Sequence, residues 1–227
     1  MSSENNVFTD EGRLMQTEYA VKRVSQAGTI MGLVCTDGVI LFGLNNAKTT
    51  QKEKIYKLNS STYCAVSGLF GDINTLIQKV RRTNITNKMD MLEDTTTRHV
   101  AKCVSFHKNE NTRYYSARPY AVGFLYAGFD DEYLLYSTDP SGTINRWKAF
   151  AIGSDETSIN QALKTNYKEN LNMERGFVYL LDAFKKAREV NFEMAEKMEV
   201  LFYTKEGVKF LQAEEIKNVL TEMGVKI

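Results

Sequence analysis

The chain is poor in the residues that usually announce a reaction or a boundary. With 2 histidines and 3 cysteines in 227 residues, it has little material for a metal cluster or a histidine-centred triad. His99 and His107 stand apart in charged sequence and read as solvated side chains. Cys35, Cys64 and Cys103 are odd in number and lack metal-ligand spacing, which fits reduced thiols in a reducing compartment. Only 2 prolines interrupt the chain, and no low-complexity tract or composition shift marks a linker, so residues 1–227 read as one domain. Net charge is almost absent too. Lysine and arginine total 29 against 28 acids, which leaves no overall field for nucleic acid or anionic lipid. No apolar run approaches the roughly 20 residues a membrane span needs, and the polar start Met1 to Asn6 lacks the features of a signal peptide. A cytosolic protein is expected.

The patterning that is present alternates between two periods. Leu14, Val21 and Val24, with Glu18, Lys22 and Arg23 elsewhere on the wheel, predict an amphipathic helix over about 13–26, after an N-terminal tail of residues 1–8. Thr29 to Val34 and Val39 to Phe42 read as a strand pair, with Asp37-Gly38 expected to supply positive φ in the turn. Thr62 to Val66 is the next strand. Leu69, Ile73, Leu76, Ile77 and Val80 then predict a helix ending at the cations Lys79, Arg81 and Arg82. From Tyr120 to Ile152 three strands are expected, the last running unbroken from Thr143 to Ile152. Ser154 is placed as the cap of a helix to about Tyr167, and Met173 to Ala187 as a second helix. A hairpin at 198–211 and a helix closed by Gly224 complete the chain. Hairpins alternating with helical pairs argue for an α+β domain on antiparallel sheets.

Several segments together resemble the proteasome alpha subunits. Phe8, Gly12, Arg13, Leu14, Gln16, Glu18, Tyr19 and Ala20 match the alpha N-terminal signature. Gly28-Thr29 with Gly32, Asp37-Gly38-Val39, Glu53 to Leu58, Ser67-Gly68-Leu69 and Arg118-Pro119 extend the likeness along the chain. Tyr126 to Asp131, Asp139 to Gly142 and Trp147-Lys148-Ala149 look most like the alpha type-4 class. The resemblance implies a four-layer αββα sandwich, the N-terminal-nucleophile hydrolase fold, in a heteroheptameric outer ring of the proteasome core particle. The implied partners are other alpha subunits, the beta ring and the C-termini of regulators or activators, in cytoplasm and nucleus, with no cofactor and no metal.

The resemblance also bears on catalysis. Active members of the superfamily use the first residue of a processed chain as nucleophile, with its own amine as base. Aligned on Gly32, that position falls on Gly28, and the family's aspartate position falls on Leu44; only the lysine position, Lys54, is kept. A non-catalytic subunit is therefore expected. An active hydrolase using a freed Thr29, and a stand-alone binding module, are the alternatives.

For binding, the resemblance implies a pocket for a regulator's terminal carboxylate at Lys54, with Leu69 and Ala27 as further pocket positions. It places the alpha-ring contact on Arg13, Leu14, Gln16 and Glu18, and the gate turn around Asp10, Gly12 and Tyr19. The first helix can pack on a ring neighbour, on its own core, or on both; the stripe from Leu69 to Val80 can face the beta ring or lie wholly within the subunit. The basic clusters Lys79, Arg81, Arg82 and Lys185, Lys186, Arg188 lack interleaved aromatics and read as solvated helix surface, so no nucleic-acid partner is expected. The tail departs from the family. Its Tyr-Asp-Arg positions fall on Met1, Ser2 and Ser3, and Asp10 replaces the turn proline. A tail of about six residues reaches at most about 20 Å, so a small part in closing the gate is expected.

Overall fold

A computed structural model of the chain describes residues 6–45, 54–114 and 116–224. The apolar runs near the N-terminus pair as antiparallel strands β1 (Ile30–Val34) and β2 (Val39–Leu44), with Val34 opposite Val39. Every residue of β2 is buried. Its alternate side chains feed two different cores: Ile40, Phe42 and Leu44 join a helix-covered cluster, whereas Val39 and Leu41 face a second sheet. That two-sided burial explains the continuous apolar run.

The first sheet has the order β10 (Val208–Phe210), β9 (Met198–Tyr203), β2, β1, β8 (Ala149–Ile152). The second has the order β3 (Ile55–Lys57), β4 (Thr62–Gly68), β5 (Val122–Phe129), β6 (Tyr133–Thr138), β7 (Ile144–Trp147). All pairings are antiparallel. Helices α2 (Phe70–Met91) and α3 (Thr97–Arg113) cover the outer face of the second sheet through Ile73, Leu76, Val100 and Val104. Helices α4 (Glu156–Thr165), α5 (Met173–Ala187), α6 (Phe192–Ala195) and α7 (Ala213–Glu222) cover the first. The expected αββα layering is present. The N-terminal helix α1 (Met15–Ser25) stands at the mouth of the sandwich, with Val24 inserted into the inter-sheet core.

Four local expectations need correction. The strand expected over Thr143 to Ile152 is two strands in different sheets, parted at Lys148; Trp147 and Phe150 stack across the break with centroids 4.1 Å apart. No glycine or proline marks the crossover between Thr143 and Ile152, so the sequence carries no break signal there. The helix α2 does not stop at Arg82 but runs to Met91, ending at Leu92 in the left-handed conformation, φ 59°. No glycine or proline interrupts residues 83–91, and Arg81 donates sideways to the Lys57 carbonyl, so these cations brace a helix flank. Ser154 does not cap α4; the N-cap is Asp155, φ 62°, while Ser154 bonds to Thr29. Neither Asp37 nor Gly38 has positive φ. Glycine is needed at 38 for space, since a Cβ there would lie 2.3 Å from the Tyr203 carbonyl oxygen.

Helix α3 has no counterpart in the sequence reading. Thr96 caps it by accepting from the His99 amide, and its buried stripe includes a lysine. Lys108 is wholly buried and donates to the carbonyls of Val122 (2.8 Å) and Thr138 (3.0 Å) and to Thr138 Oγ1 (2.9 Å). Its Nζ also lies 4.8 Å from the Phe124 ring centroid. Burial brings its pKa down to about 7, with Asp139 and Cys64 opposing that shift. The three cysteines are free, and burial raises the thiol of each, Cys35 to about 12. His99 is exposed beside Asn87, whereas His107 is half-buried with Nδ1 3.5 Å from Glu110.

Candidate functional site

One end of the sandwich gathers Lys54, Ala27 and Ser67 around Gly28. The segment before β1, the end of β4 and the residues after β8 converge on the Gly28 carbonyl. Ser67 Oγ donates to it at 2.9 Å, and Lys54 Nζ approaches it at 3.5 Å. Ala27, beside Gly28, is buried and accepts through its carbonyl from the Ser154 amide at 2.9 Å. Leu69, two residues beyond Ser67, is 38% exposed. Ala27, Lys54 and Ser67 thus meet around Gly28, while Leu69 bonds through its amide to the Ala121 carbonyl.

Lys54 is set from both sides. Its carbonyl accepts from Val66 at 2.9 Å, its amide donates to Glu199 Oε2 at 3.2 Å, and its stem lies where a Cβ on Gly43 would come within 2.5 Å. Glu199 is itself buried, accepting also from the Ile55 amide and from Asn45 Nδ2 at 2.7 Å. A carboxylate with three donors of this kind is well compensated, and it fixes the start of β3 under the lysine. The sequence reading missed Glu199, although a charge inside the apolar run Met198–Tyr203 was its signal.

The family likeness aligns the hydrolytic nucleophile and aspartate with Gly28 and Leu44, and Thr29 is the residue of the hydrolase alternative. Gly28 has no side chain. Thr29 is fully buried just before β1, donates through Oγ1 to the Ser154 carbonyl at 2.7 Å, and accepts at its own carbonyl from the Leu44 amide. Leu44 is a buried member of the helix-side core. Upstream, α1 ends at Ser25 and residues 26–29 join it to β1, while Val24 lies 3.1 Å from where a Cβ on Gly123 would stand.

The turn and helix residues lie before α1 and along its first turns. Thr9 to Gly12 close a turn by a 2.8 Å bond from the Gly12 amide to the Thr9 carbonyl, with Gly12 at φ 76°. Asp10 is exposed in that turn, so the turn forms without a proline. Arg13 and Glu18 form a bidentate, exposed ion pair, with Nε to Oε1 at 2.7 Å. Leu14 and Thr17 line a shallow cavity of about 370 Å³ with Thr112 and Gly142. Gln16 is half-buried and Tyr19 is 56% exposed. Residues 1–5, which hold the positions aligned with Tyr-Asp-Arg, lie outside the described residues.

Two face-to-face antiparallel sheets, covered on both outer faces by helices, form the sandwich of the N-terminal-nucleophile hydrolase class. The proteasome subunit pattern matches residues 24–200. The probable proteasome subunit alpha type-3 of Encephalitozoon cuniculi is 42% identical over 228 residues, 98% of this chain and 97% of that protein. Proteasome subunit alpha type-4 of Spinacia oleracea is 32% identical, spanning 98% of this chain and 94% of its own length. Proteasome subunit alpha type-3 of Saccharomyces cerevisiae is 30% identical, spanning 98% and 92%. The chain belongs to the proteasome subunit family, and these relatives are all of alpha type, carrying type-3 as well as type-4 names.

Proposed function

We propose that this chain is a non-catalytic structural subunit of the alpha ring of a proteasome core particle. It scaffolds the proteolytic core by contacts with other alpha subunits and with the beta ring, and takes part in substrate entry and regulator docking in ubiquitin-dependent degradation. The observation that carries the non-catalytic reading is Gly28, a residue without a nucleophile whose carbonyl is bound by Ser67 and approached by Lys54. Transfer chemistry needs a nucleophile, a base and an oxyanion site in mutual reach. Leu44 can supply none of these. Thr29, the next residue in the chain, is committed through its hydroxyl to Ser154 and has no free amine while α1 precedes it.

The cleft supports docking of a terminal carboxylate. Lys54 is half-buried with its amine at the Gly28 carbonyl, next to the buried Ala27, and Leu69 is partly exposed two residues past Ser67, which bonds the same carbonyl. A neighbouring subunit would complete the cleft, and regulator C-termini are the occupants of this chemistry. Arg13, Leu14, Gln16 and Glu18 serve the ring contact in this reading, and Asp10, Gly12 and Tyr19 the gate region. The subunit works in cytoplasm and nucleus.

Native mass spectrometry of tagged protein isolated gently from its own cells, with peptide hydrolysis measured on the same fraction, tests the assignment. A large particle containing alpha and beta chains, its activity lost when the beta nucleophiles are blocked, is the expected result. A free monomer would sink it; an active one with a processed Thr29 would instead restore the hydrolase reading.

A further inference from the structure

The start of α2 is bound to the segment Ala117–Ala121 by a compact set of hydrogen bonds. Asp72, in the first turn of α2 and three residues past Leu69, has a side chain only 8% exposed. It accepts from both Nη atoms of Arg118, at 2.6 and 2.7 Å, and from the Ala121 amide at 3.0 Å. The Leu69 amide returns a bond to the Ala121 carbonyl at 2.9 Å. Gly68 reaches this arrangement at φ 136°, and a Cβ there would stand 2.1 Å from the same carbonyl. The backbone that aims Leu69 is therefore set by Ala121, and Ala121 is set by Asp72.

The other end of the same segment holds the N-terminal tail. Asn6 Nδ2 lies 3.1 Å from the Asn111 carbonyl and 2.7 Å from those of Tyr114 and Ala117. Asn111 donates in turn to the Arg118 carbonyl at 3.1 Å. Asn6 thus closes the C-terminal end of α3 and ties the tail to a residue adjoining Arg118. Two features that the chain keeps far apart in sequence share five residues of backbone.

We propose that the Asp72–Arg118 pair is a positioning device that holds the docking cleft at Leu69 and the tail anchor at Asn6 in fixed relation through Ala117–Ala121. The inference rests on the docking reading for its cleft half. Asp72 and Arg118 need touch neither ligand nor pore; they act through Ala121 and Ala117. A planar guanidinium on a carboxylate resists rotation, which suits a strut.

The test uses assembled particles carrying Asp72→Asn, Arg118→Lys, Asn6→Ala or Lys54→Ala. Two readings are taken on each: affinity for a short peptide with a free C-terminal carboxylate against its C-amidated form, and hydrogen exchange of residues 6–14. Asp72→Asn is expected to weaken carboxylate binding roughly five- to tenfold, the range of ordinary site coupling, and to speed exchange near Asn6. Arg118→Lys keeps the charge and loses the fork, so it shows the same pattern in weaker form and serves if Asp72→Asn fails to assemble. Asn6→Ala should speed exchange alone. If Lys54→Ala abolishes the carboxylate preference while both pair variants leave binding and exchange unchanged, the strut is overturned and the docking reading stands. If Lys54→Ala has no effect, the docking reading fails and takes the cleft half of this proposal with it.

Discussion

Two lysines reach backbone carbonyls in this subunit and meet opposite conditions. Lys108 lies beneath α3, fully buried, with its amine divided among Val122, Thr138 and the Phe124 face. Lys54 stands just before β3, half-buried, its stem packed on Gly43 and its amine turned toward Gly28. The inner lysine is held by strands of the sheet under α3 and has its charge penalised by burial. The outer one keeps access to solvent. Position in the sandwich, not residue type, separates a wholly enclosed amine from one at the rim.

The sharpest way to break the contrast is at Lys108. Lys108→Ala should cost about 3 kcal/mol or more, because it opens a cavity and strips donors from two buried carbonyls; the midpoint of urea unfolding measures it. A shift as small as that of an exposed site would show that the amine is dispensable.

The next effect is a pH dependence confined to Lys108. Its folded pKa of about 7 lies below the ordinary 10.5, so below pH 7 both states are charged and the burial cost is present in full. Between pH 7 and about 10.5 the unfolded chain holds a proton that the folded chain lacks, so stability rises with pH, by about 1 kcal/mol per unit. Comparing unfolding of the parent with Lys108→Met from pH 6.5 to 9 isolates this slope, which the methionine variant should lack.

Lys54→Ala should change folding stability by less than about 1 kcal/mol, as for other partly exposed charges, while lowering capture of a carboxylate-ended peptide about tenfold. Equal losses in both assays would make Lys54 structural, like Lys108. Gly28→Thr should yield no peptide hydrolysis in a particle with blocked beta nucleophiles, since a hydroxyl without a free amine lacks its base. At the small end, Arg13→Gln breaks an exposed pair with Glu18 and should leave the melting temperature of the particle unmoved.

Strands β1, β2, β9 and helices α5 and α7 were legible because their apolar residues follow one clear period between turn residues. Helix α3 was not, because its buried face includes Lys108 and Thr112, which read as polar. The break at Lys148 was hidden because sequence periodicity carries no label for which sheet a strand joins. Of the candidate site, Lys54, Ala27 and Leu69 were legible only through the family likeness. Ser67 and Arg118 were quoted for that likeness without a role, and Glu199, Asp72 and Arg118 act through contacts 46 to 154 residues away in the chain.

By itself the sequence determined the class of fold, the absence of a nucleophile at Gly28 and the apolar faces of most elements, since these depend on residue identity and local spacing. Only the tertiary structure decided which lysine is buried, where the chain crosses between sheets, and that Asp72 binds Arg118 and the Ala121 amide. Those outcomes depend on which distant backbone carbonyls and donors arrive beside a side chain, and long-range pairing alone brings them there.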